Sequence, residues 1–245
     1  MKTNFVGQPT IRLKTVDSTN KYAANFMSLS EWTEGTAILS EHQTEGRGRN
    51  NKNWNSSAGE NLLMSLMLKP HFLLAHEAFQ LSMAMALAVC STVSSFGIDQ
   101  VSVKWPNDIF VGDKKIAGIL IENQVRGQIV LSSIVGIGLN VNQTESADER
   151  ATSFKSVLGN DLSLEVVFDK LCLELEKHYQ TLRSNPSAIF KAYNDELFAK
   201  GSPRVYVFNE LQNAVLIGVE RNGLARFSTS AGEKRYDIDS VRWVW

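Results

Sequence analysis

The segment of this sequence whose residue types most clearly suit a chemical function contains two arginines. Arg47 and Arg49 alternate with glycines in a polar stretch, residues 43–54, that ends in Trp54. Guanidinium groups are planar, permanently charged forks that suit carboxylate and phosphate, and glycine lets a ligand approach the main chain. Loops of this length without secondary structure are uncommon unless they are functional or disordered. We therefore predict a loop that orders over an anionic ligand, rather than a solvated surface loop. It is not a P-loop, because the required spacing and the Gly-Lys-Ser/Thr ending are missing.

Two lysines belong to segments predicted as strands. Lys104 lies in residues 101–105, where burial of a lysine is costly unless an anion pairs with it. Lys115 leads a strand whose following residues are apolar, which makes sense if an anionic group lies at that end of the strand. Strict alternation along this strand predicts that Gly118 lies on the face opposite to Lys115. A glycine weakens a strand unless something must come close to it.

Neutral and acidic polar groups accompany these cations. Asn107-Asp108 has the signature of a turn, and the Asp108 carboxylate could also orient Lys104 or hold a divalent cation. Residues 17–20, Asp-Ser-Thr-Asn, can cap a helix, and they can equally meet a small polar ligand. Glycines in the apolar strand of residues 129–141 indicate close ligand approach, although their Gly-x-Gly does not open a helix and so fails as a dinucleotide fingerprint.

The chemistry that this set of residues favours is the positioning of anions. No Ser-His-Asp order stands out, and the four histidines are scattered. Many cations without an evident nucleophile suit a reaction in which the protein holds together two anions that repel each other.

The elements that must position these residues are of the α+β class, because predicted strands cluster as hairpins rather than alternating strictly with helices. Predicted strands cover residues 10–16, 36–42, 62–68, 101–105, 109–111, 116–122 and 129–141. One predicted helix begins at a cap formed by Asp17 or Ser18. Four further helices are predicted over residues 76–96, 152–158, 163–182 and 186–198. After Gly201, short strands separated by turns (205–208, 214–219, 225–229, 235–238) predict a small all-β unit. We therefore expect a main domain over residues 1–200 and a β-barrel over residues 201–245.

The charge balance, the cysteine content and the distribution of apolar residues limit the classes of protein to which this chain can belong. The chain has 25 basic and 26 acidic residues and a net charge of −1, without the basic excess of nucleic-acid binders. Cys90 and Cys172 lie in apolar segments and predict buried free thiols. Neither a signal peptide nor a membrane span is predicted. We expect a cytoplasmic protein that binds neither DNA nor membranes, and the sequence leaves a monomer and a homodimer open.

The motifs together resemble one known family. In order and spacing they are similar to the signature of biotin protein ligases, and the resemblance runs from Asp17 through the C-terminal β unit. The segments that carry it are Gly46-Arg47-Gly48-Arg49, Lys104-Trp105-Pro106-Asn107-Asp108, Lys115-Ile116-Ala117-Gly118-Ile119-Leu120 and Gly136-Ile137-Gly138-Leu139-Asn140. The first two segments together are highly specific.

The resemblance implies a catalytic domain with a mixed sheet, similar to class II aminoacyl-tRNA synthetases, and a small C-terminal SH3-like barrel. It implies a two-step reaction that uses ATP and Mg²⁺, with biotin as substrate. Biotin is activated to biotinyl-5′-adenylate and then transferred to a lysine of the biotin carboxyl carrier protein domain of a carboxylase. A further hypothesis is that the barrel helps to hold ATP or to dock the carrier.

The resemblance also implies roles for individual residues. The catalytic set is Lys115, Arg49 and Lys104. The biotin-binding set is Ser18, Thr19, Asn20, Gln43, Gly46, Arg47, Gly48, Trp54, Lys115 and Gly118. The ATP-binding set is Arg47, Arg49, Lys104, Asn107, Asp108 and Asn140, with Asp108 also the candidate Mg²⁺ ligand.

One departure from the family pattern concerns the arginine loop. Asn51 stands where members commonly carry glycine, and asparagine tolerates the left-handed conformation well. Only sixteen residues precede Asp17, which predicts the ligase form of the family without a DNA-binding repressor domain.

Two alternatives to the ligase remain. A lipoate or octanoate ligase or transferase of related fold is one, and the polar residues Ser18, Thr19, Asn20 and Gln43 favour a ureido ring over a plain acyl chain. A catalytically silent biotin-binding protein is the other, and the retained arginines and lysines argue against it.

Overall fold

The computed structural model describes residues 3–145 and 148–244. Within these residues, five α-helices and twelve strands follow one another. The helices are α1 (Thr19–Leu29), α2 (Phe79–Ser94), α3 (Phe154–Leu158), α4 (Leu164–Ser184) and α5 (Pro186–Asp195). The strands are β1 (Thr10–Val16), β2 (Ala37–Gln43), β3 (Leu62–Leu68), β4 (Val101–Lys104), β5 (Asp108–Val111), β6 (Lys114–Arg126), β7 (Ile129–Leu139), β8 (Pro203–Val207), β9 (Leu211–Val219), β10 (Ala225–Thr229), β11 (Gly232–Tyr236) and β12 (Arg242–Trp243).

A seven-stranded mixed sheet forms the centre of the protein. Its strand order is β1-β2-β3-β7-β6-β5-β4, with β1 parallel to β2 and every other neighbouring pair antiparallel. β3 is buried along its whole length, as expected for a central strand that is apolar on both faces. The expected α+β class with a mixed sheet is therefore confirmed.

Helices cover both faces of this sheet. α2 lies in the main core together with α4 and α5, whereas α1 packs on the opposite face in a smaller cluster around Ala23, Ile38 and Met67. The stretch Ala75–Ser94 is long and apolar enough to cross a membrane, but 67% of its most apolar 18-residue window is buried inside the protein. Its hydrophobicity is that of a core helix.

The C-terminal strands form a second sheet that shares the core of the first. Its order is β11-β10-β9-β8-β12, all antiparallel; its closure into a barrel stays a prediction. The buried indole N–H of Trp105 donates to the carbonyl of Gly223 (3.0 Å). The side-chain amide of Asn194 in α5 donates to the carbonyl of Val219 and accepts from its backbone N–H. One continuous hydrophobic cluster includes side chains from both sheets. The Lys104–Asp108 segment is therefore supported directly by the C-terminal sheet.

Element boundaries differ from the prediction where pairing overrides local composition. β6 continues to Arg126 although its last four residues are exposed and three of them are polar, because β7 pairs with this end of the strand. α5 ends at Asp195, since the following residues make a bridge from Leu197 to Val103 in β4. β12 was not predicted. Both cysteines are free and buried, as predicted, and burial raises the pKa of Cys172 to about 12.

A buried carboxylate fixes the N-terminal segment onto α4. Glu176, only 6% exposed, accepts hydrogen bonds from the backbone amides of Asn4, Phe5 and Val6 (2.8–3.1 Å). Burial acts to raise the pKa of Glu176, but these amide bonds outweigh it and hold the pKa below the ordinary 4.5. The ionised form is therefore the one that stabilises the fold.

Replacing Glu176 with glutamine should lower the free energy of unfolding by about 1–3 kcal/mol at neutral pH, because a charged acceptor of three amides is lost. A depressed carboxyl pKa contributes stability above the ordinary value and loses it as pH falls. The difference between wild type and variant should therefore shrink as pH drops below 4.5. Denaturant unfolding at several pH values measures it. The control is Glu165→Gln, because Glu165 lies on the same helix as Glu176 but is an exposed ion-pair partner of Arg12. Equal losses of stability in the two variants would contradict the role of Glu176 in fixing the N-terminal segment.

Candidate active site

The residues singled out from the sequence lie around one cavity of about 600 Å³. The cavity is lined by the end of β4, the start of β5 and the first half of β6, together with the start of α1, the arginine loop and residues of the C-terminal unit. Thirteen of the predicted site residues line it: Ser18, Thr19, Asn20, Gln43, Arg47, Gly48, Arg49, Trp54, Lys104, Asn107, Asp108, Lys115 and Gly118. Segments more than 100 residues apart in sequence therefore build one site.

Asp108 lies between the two lysines. Its Oδ1 is 2.6 Å from the Nζ of Lys115 and its Oδ2 is 3.5 Å from the Nζ of Lys104. The side chains of Lys104 and Asp108 are only 14% and 17% exposed. Burial lowers the pKa of Lys104, with the neighbouring Lys115 cation acting in the same direction and Asp108 against it. Of the roles considered for Asp108, the geometry favours orienting the lysines.

The sequence-based placement of Gly118 opposite Lys115 is wrong. Across the β5–β6 pairing, Ile109 faces Ala117 while Phe110 faces Lys115, which leaves Ile116 as an extra, bulged residue. A bulge inverts the alternation of side chains. Lys115 and Gly118 consequently face the same cavity, and the Lys115 ammonium lies close to the Cα of Gly118.

Gly118 and Gly138 form a flat floor for Trp54. The two glycines face each other directly on β6 and β7, and a methyl group added to either would press into the Trp54 ring. The Lys115 Nζ lies 5.2 Å from the centroid of that ring. The close approach that these glycines allow is thus made by a side chain of the arginine loop, whose buried indole N–H has no acceptor among the described residues.

A neutral polar network closes another side of the cavity. Gln43 Oε1 accepts from the backbone N–H of Thr19 (2.8 Å), and the buried hydroxyl of Ser65 lies 2.8 Å from Thr19 Oγ1 and 2.6 Å from Asn20 Oδ1. Asn20 approaches Gly136 so closely that any side chain there would collide with it. Ser18 is the N-cap of α1 but makes no side-chain capping bond. Asp17 bonds the Ser18 amide instead.

The arginine loop is an ordered hairpin. Trp54 N–H donates to Gly46 O, Gly48 N–H donates to Lys52 O, and Arg47 and Asn53 form a β-bridge. Gly46 lies outside the cavity lining, where it leaves room for the Trp54 carbonyl.

The left-handed backbone in this loop falls on Asn50 (φ 54°), whereas the sequence comparison had pointed to Asn51. Asn50 and Arg49 both bond the carboxylate of Asp239, which lies in the turn between β11 and β12, with Arg49 Nη2 at 2.5 Å. This turn of the C-terminal unit therefore contacts the tip of the hairpin.

Asn140 is placed away from the cavity. Its backbone N–H donates to Ile116 O and its side-chain amide donates to Thr152 O (3.0 Å). These two hydrogen bonds hold the end of β7 against the bulged part of β6, so that Asn140, which was predicted to bind ATP, has a structural contact here.

Several lining residues were not assigned a role in binding or catalysis from the sequence, although the glycines of the strand at residues 129–141 were predicted to allow close approach of a ligand. The unassigned residues are Asn50, Lys52, Asn53, Met64, Trp105, Pro106, Phe110, Ile119, Leu120, Gly136, Ile137, Gly138, Asp148, Arg150, Ile238, Val241, Arg242 and Trp243. Residues 238–243 carry no motif, so only the tertiary structure brings them to the site. Glu122, which contacts Asn20 and Arg47, was also not predicted. Only one weak feature of the sequence marks it as a candidate, namely that this acidic residue directly follows the apolar part of β6.

Comparison with known proteins agrees with this geometry. The profile of the Biotin/lipoate A/B protein ligase family matches residues 13–140. The chain is also 32% identical over 248 residues to the bifunctional ligase/repressor BirA of Bacillus spizizenii, covering 98% of this chain and 75% of that protein.

The chain belongs to the biotin/lipoate A/B protein ligase family. The biotin–[acetyl-CoA-carboxylase] ligase of Mycobacterium tuberculosis is 35% identical over 124 residues, which cover 49% of this chain and 45% of that protein. The structure is similar to that of the Aquifex aeolicus biotin protein ligase in complex with biotin and ATP, with a TM-score of 0.81, 27% identity, and coverage of 96% and 99% of the two chains. The fold is that of the biotin protein ligases.

A magnesium site made by the protein alone is not supported in this ligase. Both Asp108 oxygens contact lysines, and no cluster of three or more metal-binding side chains occurs within residues 3–145 and 148–244. Mg²⁺ is usually held by one or two carboxylates together with substrate phosphates. Any Mg²⁺ here would therefore depend on nucleotide phosphates for most of its ligands.

Proposed function

We propose that this protein activates biotin with ATP to biotinyl-5′-adenylate and transfers the biotinyl group to a lysine of a biotin carboxyl carrier protein. The observation that carries the proposal is the pairing, in one cavity, of a neutral polar network with four cations. Thr19 and Gln43 belong to the network, and the ureido ring of biotin, with its donors and carbonyl acceptor, suits such groups. Lys104, Lys115 and the loop arginines supply the charge that a carboxylate and a triphosphate require.

In the first step, a biotin carboxylate oxygen forms a bond to the α-phosphorus of ATP, while the bond to the oxygen leading to the β-phosphate breaks. Pyrophosphate leaves with that electron pair. Both reactants are anions, so the barrier includes their mutual repulsion. Lys115 and Lys104, fixed by Asp108 at the cavity wall, offset this repulsion without reorganising during the reaction. Arg47 and Arg49 complete the positive lining on the loop side.

In the second step, the neutral amine of the carrier lysine attacks the carbonyl carbon of the mixed anhydride, and AMP leaves. The amine loses its proton to solvent in forming the amide. The adenylate must stay bound and shielded from water until the carrier arrives. Trp54 and the hairpin that carries it are placed to cover it, because they already lie across Gly118 and Gly138.

The remaining proposals concern organisation. Residues 1–200 act as the catalytic domain, and residues 201–245 act as a C-terminal unit that contributes to the nucleotide end of the site through Asp239 and through the lining residues Ile238, Val241, Arg242 and Trp243. The carrier is that of a carboxylase, in line with the names of relatives such as the Mycobacterium tuberculosis enzyme. The protein works in the cytoplasm, where its carrier is made. The reaction itself calls for neither DNA nor a membrane.

The transfer step is tested by incubating the protein with biotin, ATP and a purified carrier domain, and locating the modification by mass spectrometry. The proposal expects biotin on one carrier lysine, dependent on ATP, and none on a carrier whose acceptor lysine is replaced by arginine. Failure to modify any carrier domain while adenylate accumulates would contradict the transfer step alone.

A further inference from the structure

Glu122 connects two parts of the site that the sequence treats as separate. This residue lies on β6, beyond the lysine end of the strand. Its Oε2 accepts a hydrogen bond from Asn20 Nδ2 at 2.7 Å, and its Oε1 lies 3.6 Å from Arg47 Nη1. One carboxylate thus touches the polar network on one side and the arginine hairpin on the other.

The bond to Asn20 fixes which way its amide points. A carboxylate only accepts hydrogen bonds, so Asn20 must present Nδ2 to Glu122, and the same Nδ2 also reaches Leu120 O at 3.3 Å. Asn20 Oδ1 therefore faces the buried hydroxyl of Ser65 at 2.6 Å and takes its single proton. Because Ser65 also touches Thr19, the orientation set by Glu122 passes along the network to the residues that line the cavity.

The pair with Arg47 acts on the hairpin. Arg47 is 51% exposed and Glu122 is 40% exposed, so this ion pair is weak by itself. The hairpin is also attached through Trp54 on its glycine floor and through Arg49 and Asn50 on Asp239. Among these contacts, the one made by Glu122 also reaches the polar network.

We propose that Glu122 is a positioning residue that couples the biotin-binding polar network to closure of the arginine hairpin. The inference rests on the proposed function and adds a specific determinant of it. Glu122 orients Asn20 for ligand binding and holds Arg47 where the adenylate is retained. Its two oxygens carry the two roles separately, so the roles can be separated by substitution.

Two substitutions make that separation. Glu122→Gln keeps an acceptor for Asn20 but loses the charge opposite Arg47, so biotin affinity should stay near that of wild type while bound adenylate escapes about two- to fivefold faster. Glu122→Ala loses both contacts, so biotin affinity should also fall about tenfold. Calorimetric titration with biotin, without ATP, measures the first quantity, and release of preformed adenylate measures the second. Glu41→Gln, an exposed acidic residue on β2 outside the arginine loop, controls for net charge.

A purely structural Glu122 gives a different pattern. Both variants would then lose thermal stability with biotin affinity unchanged, or lose affinity to the same extent, and either result overturns the coupling. If the alanine variant does not fold, a double-mutant cycle with Arg47→Gln decides: the coupling predicts that Glu122→Gln adds little to adenylate release once Arg47 is already replaced, and additive effects refute it. Because biotin titration needs no catalysis, failure of the ligase proposal would show as absent adenylate in wild type and stay distinct from this result.

Discussion

Replacing Lys115 with glutamine is expected to lower the rate of adenylate formation by about 10²–10³, with the fold unchanged. Glutamine is similar in length but uncharged. It cannot offset the repulsion between the biotin carboxylate and the α-phosphate, and it leaves Asp108 with only the more distant Lys104. Because the lost charge acts on the reacting groups, the loss should appear in kcat of biotin-dependent pyrophosphate exchange more than in the KM for biotin.

The neighbouring residue provides a matched control. Lys114 precedes Lys115 on β6 but is exposed and lies outside the cavity lining. Lys114→Gln removes the same charge from the same strand, so its exchange rate should equal that of wild type. Equal losses in the two variants would indicate a general effect of net charge and contradict the role given to Lys115.

Replacing Arg49 with alanine is expected to speed escape of bound adenylate by about 10–100-fold, while biotin affinity changes much less. Arg49 lies at the hairpin tip beside Asp239 and Ile238, on the side of the cavity formed by the C-terminal sheet. The Gln43–Thr19 network belongs to another part of the wall, where Gln43 bonds the start of α1. Release of preformed adenylate into solution, followed over time, compares the variant with wild type.

Biotin titration of the same Arg49 variant supplies the second half of the test. Arg126→Ala, an exposed arginine at the far end of β6, serves as the control for charge. A variant that loses biotin affinity as strongly as it loses adenylate retention would show that Arg49 acts on the whole site, contrary to a clamp on the phosphate.

The sequence was sufficient to predict the parts of the site that depend on local chemistry. A short run of apolar residues indicates a buried strand, and the bounds predicted for β3 from such a run agree with the structure at both ends. Lysines in such strands need anionic partners, and Lys104 and Lys115 indeed share Asp108. The structure shows the arginine loop as a hairpin, whereas its ordering over an anionic ligand stays a prediction.

What escaped prediction depends on pairing and on distant contacts. The bulge at Ile116 follows from the register of β5 against β6, which no local pattern encodes. Asp239 reaches Arg49 across 190 residues of sequence, and Ser65 lies in a strand where a small buried residue looks like ordinary core. Glycines were read as openings for a ligand, whereas Gly118, Gly136 and Gly138 make room for Trp54 and Asn20.

The most direct test of the central claim is ATP–pyrophosphate exchange on the purified protein, with biotin, lipoate and octanoate in parallel. Reversible adenylate formation moves label from pyrophosphate into ATP only when the acid that the site activates is present. The account predicts exchange with biotin and none with lipoate, octanoate or ATP alone. Exchange driven by lipoate or octanoate would move the activity to the other branch of the family, and biotin binding without exchange would show a binding protein in place of a ligase.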